Sequence, residues 1–518
     1  MKKILSFIIV LTMVLSLSTA MAFTASAAWE GGVSATFTGG TGTEADPYLI
    51  GSATDLALIA KMTNEDANTC DGLYFKQITD IDLAEINWIP IGSYANKTEI
   101  FKGHYDGDGH TISGLKVEVD GAYTGLFGRI VGATVKNLNV KGSLVTSTLA
   151  GKSVYAGGIV AYGIDGVKII NCTSDVERVS GTTSGGIVGR LQNSTANVDW
   201  CELIGCFAYG NIEGLDVKDT FAGGVIGVAG ATYVKYCGNF GDVKGGACTN
   251  MAVTGGIIGC QGASDNTTHI SNCFNLGKVT GVASDEAATK SYAGGIVGRA
   301  AHIQDYINGA NIESCFNANG NVSMLDAAGN VKADGNVGSL IGHIRYIANI
   351  SNCYVSVPTS EMLDVCIDDG ACVEAGNITV ITDAQMKGAD AVATMKLNEA
   401  WVAGSDYPTI DVAKALTVQD APAEEDTTPE ETEPVDTPVE AEPTPAETEP
   451  TPAETEPTPT ETEPTPTETE PTPAETEPIK GPSGSGNKTI IFVAIGVIAV
   501  VAVVLIVIVV VSEKKKAK

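Results

Sequence analysis

Between residues 124 and 380 the apolar positions fall in runs of four to six, rich in Ile, Val and Phe, and each run stops at Gly, Asn or Asp. No stretch there keeps a helical period for useful length, so the pattern predicts short strands separated by turns. The runs recur as two alternating phrases. One is a paired glycine followed by aliphatics: GGIVA at Gly157, GGIVG at Gly185, GGVIG at Gly223, GGIIG at Gly255 and GGIVG at Gly294, with GLFG at Gly125 and GSLIG at Gly338 as looser copies. The other is built on a single cysteine, at Cys172, Cys206, Cys237, Cys273, Cys315 and Cys353.

Successive glycine phrases start 28, 38, 32, 39 and 44 residues apart, so the framework repeats while its inserts vary. A repeat of this size whose units cannot bury an apolar face alone is expected to stack, rung on rung, about 4.8 Å apart, as a parallel β-helix. Stacking brings the six cysteines into one column, where small apolar thiols suit a narrow core. The following residues, Phe207, Phe274, Phe316 and Tyr354, interrupted by Gly238, then point outward, since strand neighbours face opposite sides. An outward column of rings is a candidate platform for a glycan or protein, against the alternatives that the rings form the core or that longer loops cover them. A second column follows the glycines: Arg129, Tyr162, Arg190, Val228, Cys260, Arg299 and His343. It reads as a conceivable contact line for acidic glycans, or as strand-end arginines paired with nearby carboxylates.

Residues 28–123 read as an entry module. Ser52 precedes an apolar helical stripe, which predicts a short helix near 54–65 that caps the open end of the solenoid. FKGHYDGDGHTISGL, Phe101 to Leu115, reads as a Gly/Asp-rich turn between strands. The run TGTEADPYLIGSATDLALIA, then YFKQITDIDL, WIPIG, FKGHYDGDGHTISGL, GLFG and GATVKNLNVKG, followed by GGIVG repeats, resembles the bacterial GLUG-motif surface proteins. That resemblance spans nearly all of residues 40–410. It implies a right-handed, pectate-lyase-like β-helix at 124–380 and a closing segment at 381–411. It implies no activity, and the HExxH zinc motif of the large peptidases that carry such repeats is absent.

The ends change the picture from a solenoid to a tethered one. Residues 1–27 have two lysines, an apolar run and an Ala-Ser-Ala site, as a secretory signal peptide does. Residues 412–488 become a Pro/Thr/Glu-rich stalk holding 20 acidic residues between Asp420 and Glu477 and no Lys or Arg. Such a tract has nothing to bury and stays extended. At 489–512 the apolar run Ile490 to Val511 is long enough to span a bilayer, and the basic tail 513–518 is expected to remain cytoplasmic. The expectation is a single-pass surface protein of a Gram-positive cell that displays an adhesin-like ectodomain. Its expected partners are the membrane and an extracellular glycan or protein.

Charge narrows the ligand classes. The chain carries a net −31, and residues 28–419 alone hold 41 acids against 23 Lys and Arg, which disfavours nucleic acid. No nucleophile motif, phosphate loop or metal-spaced Cys/His set appears, so no catalytic residue, metal or cofactor is expected. The one acid cluster beside histidines, His104, Asp106, Asp108 and His110, fits a tight turn better than acid/base chemistry, as do Asp80 and Asp82. Of the remaining cysteines, Cys366 and Cys372 are close enough to close a small loop. Cys70, Cys201, Cys248 and Cys260 have no partner that spacing identifies. An extracellular polysaccharide-degrading enzyme and an inert coat protein are the competing readings.

Overall fold

The computed structural model describes residues 28–419, except 93–98, 150–151, 195–198, 262–267, 284–289, 301–309, 319–321, 333–335, 345–348, 357–364 and 368–377. The signal peptide, the rest of the stalk, the apolar run at 489–512, the basic tail and the Cys366–Cys372 loop lie outside the described residues. No helix among the described residues is long and apolar enough to cross a membrane.

The repeats form a β-solenoid. One coil shows how the two phrases divide the work: Tyr155–Gly157, Val160–Ile164, Lys168–Ile170 and Thr173–Gly181 follow one another, and Thr183–Gly185 begins the next coil beside Tyr155–Gly157. Stacking these strands gives four sheets of seven, eight, ten and fourteen strands, every pair in them parallel. In chain order within a coil we call them the pre-glycine, post-glycine, pre-cysteine and post-cysteine sheets.

Register is held despite the variable inserts. Gly157, Gly185, Gly223, Gly255, Gly294 and Gly338 are successive Cα partners. Thr173, Phe207, Gly238, Phe274, Phe316 and Tyr354 are likewise partners. Between the pre- and post-cysteine sheets the chain turns on one residue in the left-handed region: Asn171, Gly205, Tyr236, Asn272, Ser314 and Asn352 have φ between 50° and 64°. Gly and Asn take that conformation most readily, so their frequency just before the cysteine has a local cause.

The cysteines point inward and are fully buried, among Ile and Val side chains of the main core. Their Sγ atoms donate to carbonyls of the preceding strand, as Cys273 does to Ser271 at 3.3 Å. Across the narrow interior lies a ladder that the sequence reading did not single out. Two residues beyond their cysteines, Asn239, Asn275 and Asn317 are fully buried and joined side chain to side chain, Asn239 Nδ2 to Asn275 Oδ1 at 2.8 Å and Asn275 Nδ2 to Asn317 Oδ1 at 2.9 Å. The second glycines Gly224, Gly256 and Gly295 face this ladder, while Gly158 and Gly186 face Ser174 and Ala208 at the same place in their coils. A Cβ on Gly256 would stand 2.0 Å from the Gly295 carbonyl oxygen and 2.5 Å from Asn275 Cγ. The paired glycine and the cysteine phrase are thus two sides of one contact, which is why they alternate.

Helix α1, Ala53–Asn64, lies where the sequence places the entry cap, and Ser52 Oγ accepts the Asp55 N–H. Buried Asp55 accepts from Ser34 and Thr38 hydroxyls and from the Gly51 N–H, tying the first residues to the helix. The C-terminal segment departs from expectation. It comprises a 3₁₀ turn at Asp383–Met386, helix α2 at Ala391–Thr394, an antiparallel pair of Trp401–Val402 with Thr409–Ile410, and helix α3 at Val412–Gln419. It runs along the flank of the post-cysteine sheet, packing Met395, Trp401 and Tyr407 against Ile204, Phe274 and Phe316. Helix α3 falls within the stretch assigned to the stalk at 412. The apolar side chain of Ala415 is fully buried in this second core, so the folded part extends to 419.

Candidate functional site

The expected ring platform is in register but is not open. Phe274 and Phe316 are fully buried, and Phe207 and Tyr354 are 9% and 4% exposed. Their side chains leave the coil on the side opposite the cysteines, and the strap of residues 381–419 covers them. Trp401 sits on both Phe274 and Phe316, with ring centroids 5.7 and 5.5 Å away. Its indole N–H donates to Asn272 Oδ1 at 3.2 Å, and Asn398 Nδ2 donates to Asn272 Oδ1 and to the Tyr236 hydroxyl. Gly238 makes room for this packing, since a Cβ there would meet Phe274 Cζ at 2.3 Å. The column is a second hydrophobic core, which corrects its reading as a free binding surface.

The acids of the entry module are held as turn residues. Burial pushes the Asp106 carboxyl up, but hydrogen bonds from Asn137 and the Asp108 N–H, with Lys136 at 3.3 Å, outweigh it and hold Asp106 below its ordinary range. Asp108 pairs with Lys76 at 3.1 Å, and Asp80 binds His110 and the Thr111 N–H. Asp82 accepts the Ala84 N–H at 2.8 Å. His104 stacks on Tyr74 at 4.4 Å, and its burial lowers its pKa. Each of these carboxylates already has a positive charge or a backbone donor.

An open aromatic and cationic surface lies instead at the corner between the pre- and post-glycine sheets. The post-glycine column is in register as read from the sequence: Arg129, Tyr162, Arg190, Val228, Cys260 and Arg299 are successive partners. Facing it is a column two residues before each glycine pair: Tyr123, Tyr155, Thr183, Phe221, Val253, Tyr292 and Asn336. The middle of the corner, Val228, Val253, Cys260 and Tyr292, closes as a small apolar cluster. Beyond it, buried Arg299 donates to His343 Nδ1 at 3.3 Å and approaches the Met251 sulfur at 3.5 Å.

At the other end the corner is half-buried and accessible. The rings of Tyr123, Tyr155 and Tyr162 stack on one another with centroids 5.1–5.5 Å apart and planes within 10–16°. The Arg190 guanidinium lies 5.9 Å from the Tyr155 ring and 6.0 Å from that of Tyr162. Gln192 Nε2 donates to the Tyr162 hydroxyl at 2.7 Å. Burial raises the Tyr162 pKa above its ordinary value despite Arg190, so the phenol is neutral at physiological pH. Among the described residues no carboxylate pairs with Arg190, and Arg190 Nε and Gln192 Oε1 are both buried without a hydrogen-bond partner. Three of the chain's five arginines stand in this one column, in a protein with twice as many acids as bases. Position two before the glycine pair, shared by Tyr123 and Tyr155, was the signal that would have located the plate.

No family model matches the chain. Over 148 residues, 26% of this chain, it is 35% identical to a "Putative Gly-rich membrane protein" of Evansella cellulosilytica, and over 166 residues, 30% of this chain, it is 32% identical to "Halomucin" of Haloquadratum walsbyi. These matches take in 16% and 2% of the relatives' own lengths. Among solved structures, a "putative immunoglobulin A1 protease" of Bacteroides ovatus aligns with 73% of this chain and 95% of its own at 20% identity and a TM-score of 0.42.

Proposed function

We propose that this chain is a surface-tethered ligand-binding protein, an adhesin-like ectodomain of the GLUG type whose right-handed β-helix presents its contact site at the tyrosine and arginine corner. The observation that carries the reading is Arg190, a guanidinium set beside two stacked tyrosine rings with no carboxylate in salt-bridge contact among the described residues. Structural arginines in an acidic protein are ordinarily neutralised, whereas an arginine and aromatic set left open is the composition of a contact site. The apolar run at 489–512 and the acidic stalk fit display at a membrane, and the names of the two relatives are consistent with a surface location.

The test is an array of glycans and extracellular proteins probed with the purified full-length chain and with its Tyr155→Ala/Tyr162→Ala variant. Retention that the double variant loses, with the retained ligand intact, supports the assignment. Retention unaffected by the double variant removes the corner as the site, and cleavage products turn the reading to a degradative enzyme.

A further inference from the structure

Resting on that reading, we infer that the corner takes a carboxylate-bearing saccharide, its sugar ring laid on the tyrosine plate and its anion held by Arg190. Three features select this class. The three half-buried rings stack near-parallel, so a ring at the outside of the stack offers an apolar face with a hydroxyl at its edge, which suits the C–H face of a pyranose. The guanidinium beside them supplies a fork of N–H donors matched to a planar carboxylate. Arg190 and the rings beside it are half-buried, so the corner is not sealed from a ligand. A ligand carrying both an anion and a sugar face can engage the guanidinium and the rings together, whereas an acidic peptide brings carboxylates without the sugar face. Rungs about 4.8 Å apart place Arg129 and Arg190, two rungs distant, about 10 Å apart along the axis, so a chain lying along the corner passes Arg129 as well.

The probe is hyaluronate oligosaccharide, in which uronate alternates with a neutral sugar, titrated into the purified full-length chain. Carboxyl-reduced hyaluronate and polyglutamate serve as the comparison ligands. Binding is expected to weaken about tenfold or more with Arg190→Gln and with Tyr155→Ala, and to survive Tyr155→Phe, which keeps the ring. Carboxyl reduction of the ligand should weaken binding as much as Arg190→Gln does. Because arginine does not titrate and Tyr162 stays neutral, affinity should be flat from about pH 6 to 9 and fall only as the ligand's carboxylate protonates near pH 4. A single cooperative melting transition, well above the assay temperature, in each variant shows that the fold is intact. Equal affinity for the carboxyl-reduced polymer, equal affinity for polyglutamate, or no hyaluronate binding overturns the inference. The array separates the two levels: tyrosine-dependent retention of neutral ligands alone leaves the corner as a site and removes its acid specificity, while no tyrosine-dependent retention removes both.

Discussion

Two aromatic columns run along this solenoid, and they have opposite fates. The rings that follow the cysteines are sealed under the strap of residues 381–419, with Trp401 seated across Phe274 and Phe316. Of the rings that precede the glycines, Tyr292 is buried, but Tyr123 and Tyr155 stay half-buried and share their corner with Tyr162 and Arg190. Both columns have the alignment a platform requires. What separates them is whether another segment of the chain brings apolar partners. The strap supplies Met386, Met395, Leu397, Trp401 and Tyr407 to one column, whereas Tyr155 and Tyr162 stay half-buried in the other. Regular spacing of rings therefore identifies a surface, and only long-range packing decides whether it is core or contact.

The largest effect should come from breaking the sealed column. Trp401→Ala removes a ring that is 4% exposed and is expected to destabilise the folded unit by about 3–5 kcal/mol, read from denaturant midpoints, with new protease cleavage between 381 and 419. Unchanged stability would mean that the strap is not a structural cover. Asn272→Ala should cost about 1–3 kcal/mol by the same measurement, because Trp401 Nε1 and Asn398 Nδ2 both lose their acceptor. In the coil interior, burial raises the Cys172 thiol well above its usual range and that of Cys201 to about 11. Groups that hold protons more tightly when folded lose stabilising effect as pH rises past the unfolded thiol value near 8.5, so melting temperature should fall from pH 8 to 10. The folded chain should also resist a thiol reagent at pH 8 at these positions. The smallest stability change is expected at the open column, where Tyr155→Ala should cost about 0.5–1.5 kcal/mol, the stacking contribution alone. A loss as large as that of Trp401→Ala would show that the corner, too, is core.

Much of the framework was legible because its constraints are local. A glycine pair that must clear the residue two beyond the cysteine, and a left-handed residue before an inward cysteine, leave similar letters from coil to coil. Register followed from those letters, so the columns through Phe274 and through Arg190 could be written down without coordinates. The strap's path could not. Trp401 lies 127 residues from Phe274, belongs to no repeat, and lands where it does through packing that no periodicity encodes. The tyrosine plate was half legible: Tyr162 stands in the recognised column, but Tyr123 and Tyr155 sit before the glycines, and that two residues on separate strands meet face to face depends on the sharpness of the glycine corner.

Gly157 and Gly185 are 28 residues apart, Gly294 and Gly338 are 44 apart, and both pairs are adjacent partners in the same sheet. Length is thus free where the coil faces solvent and fixed where it faces itself. Duplication can add a rung, and insertion can decorate one, without renegotiating the interior. Such a molecule is able to change its reach and its inserts while its folding information stays the same short text.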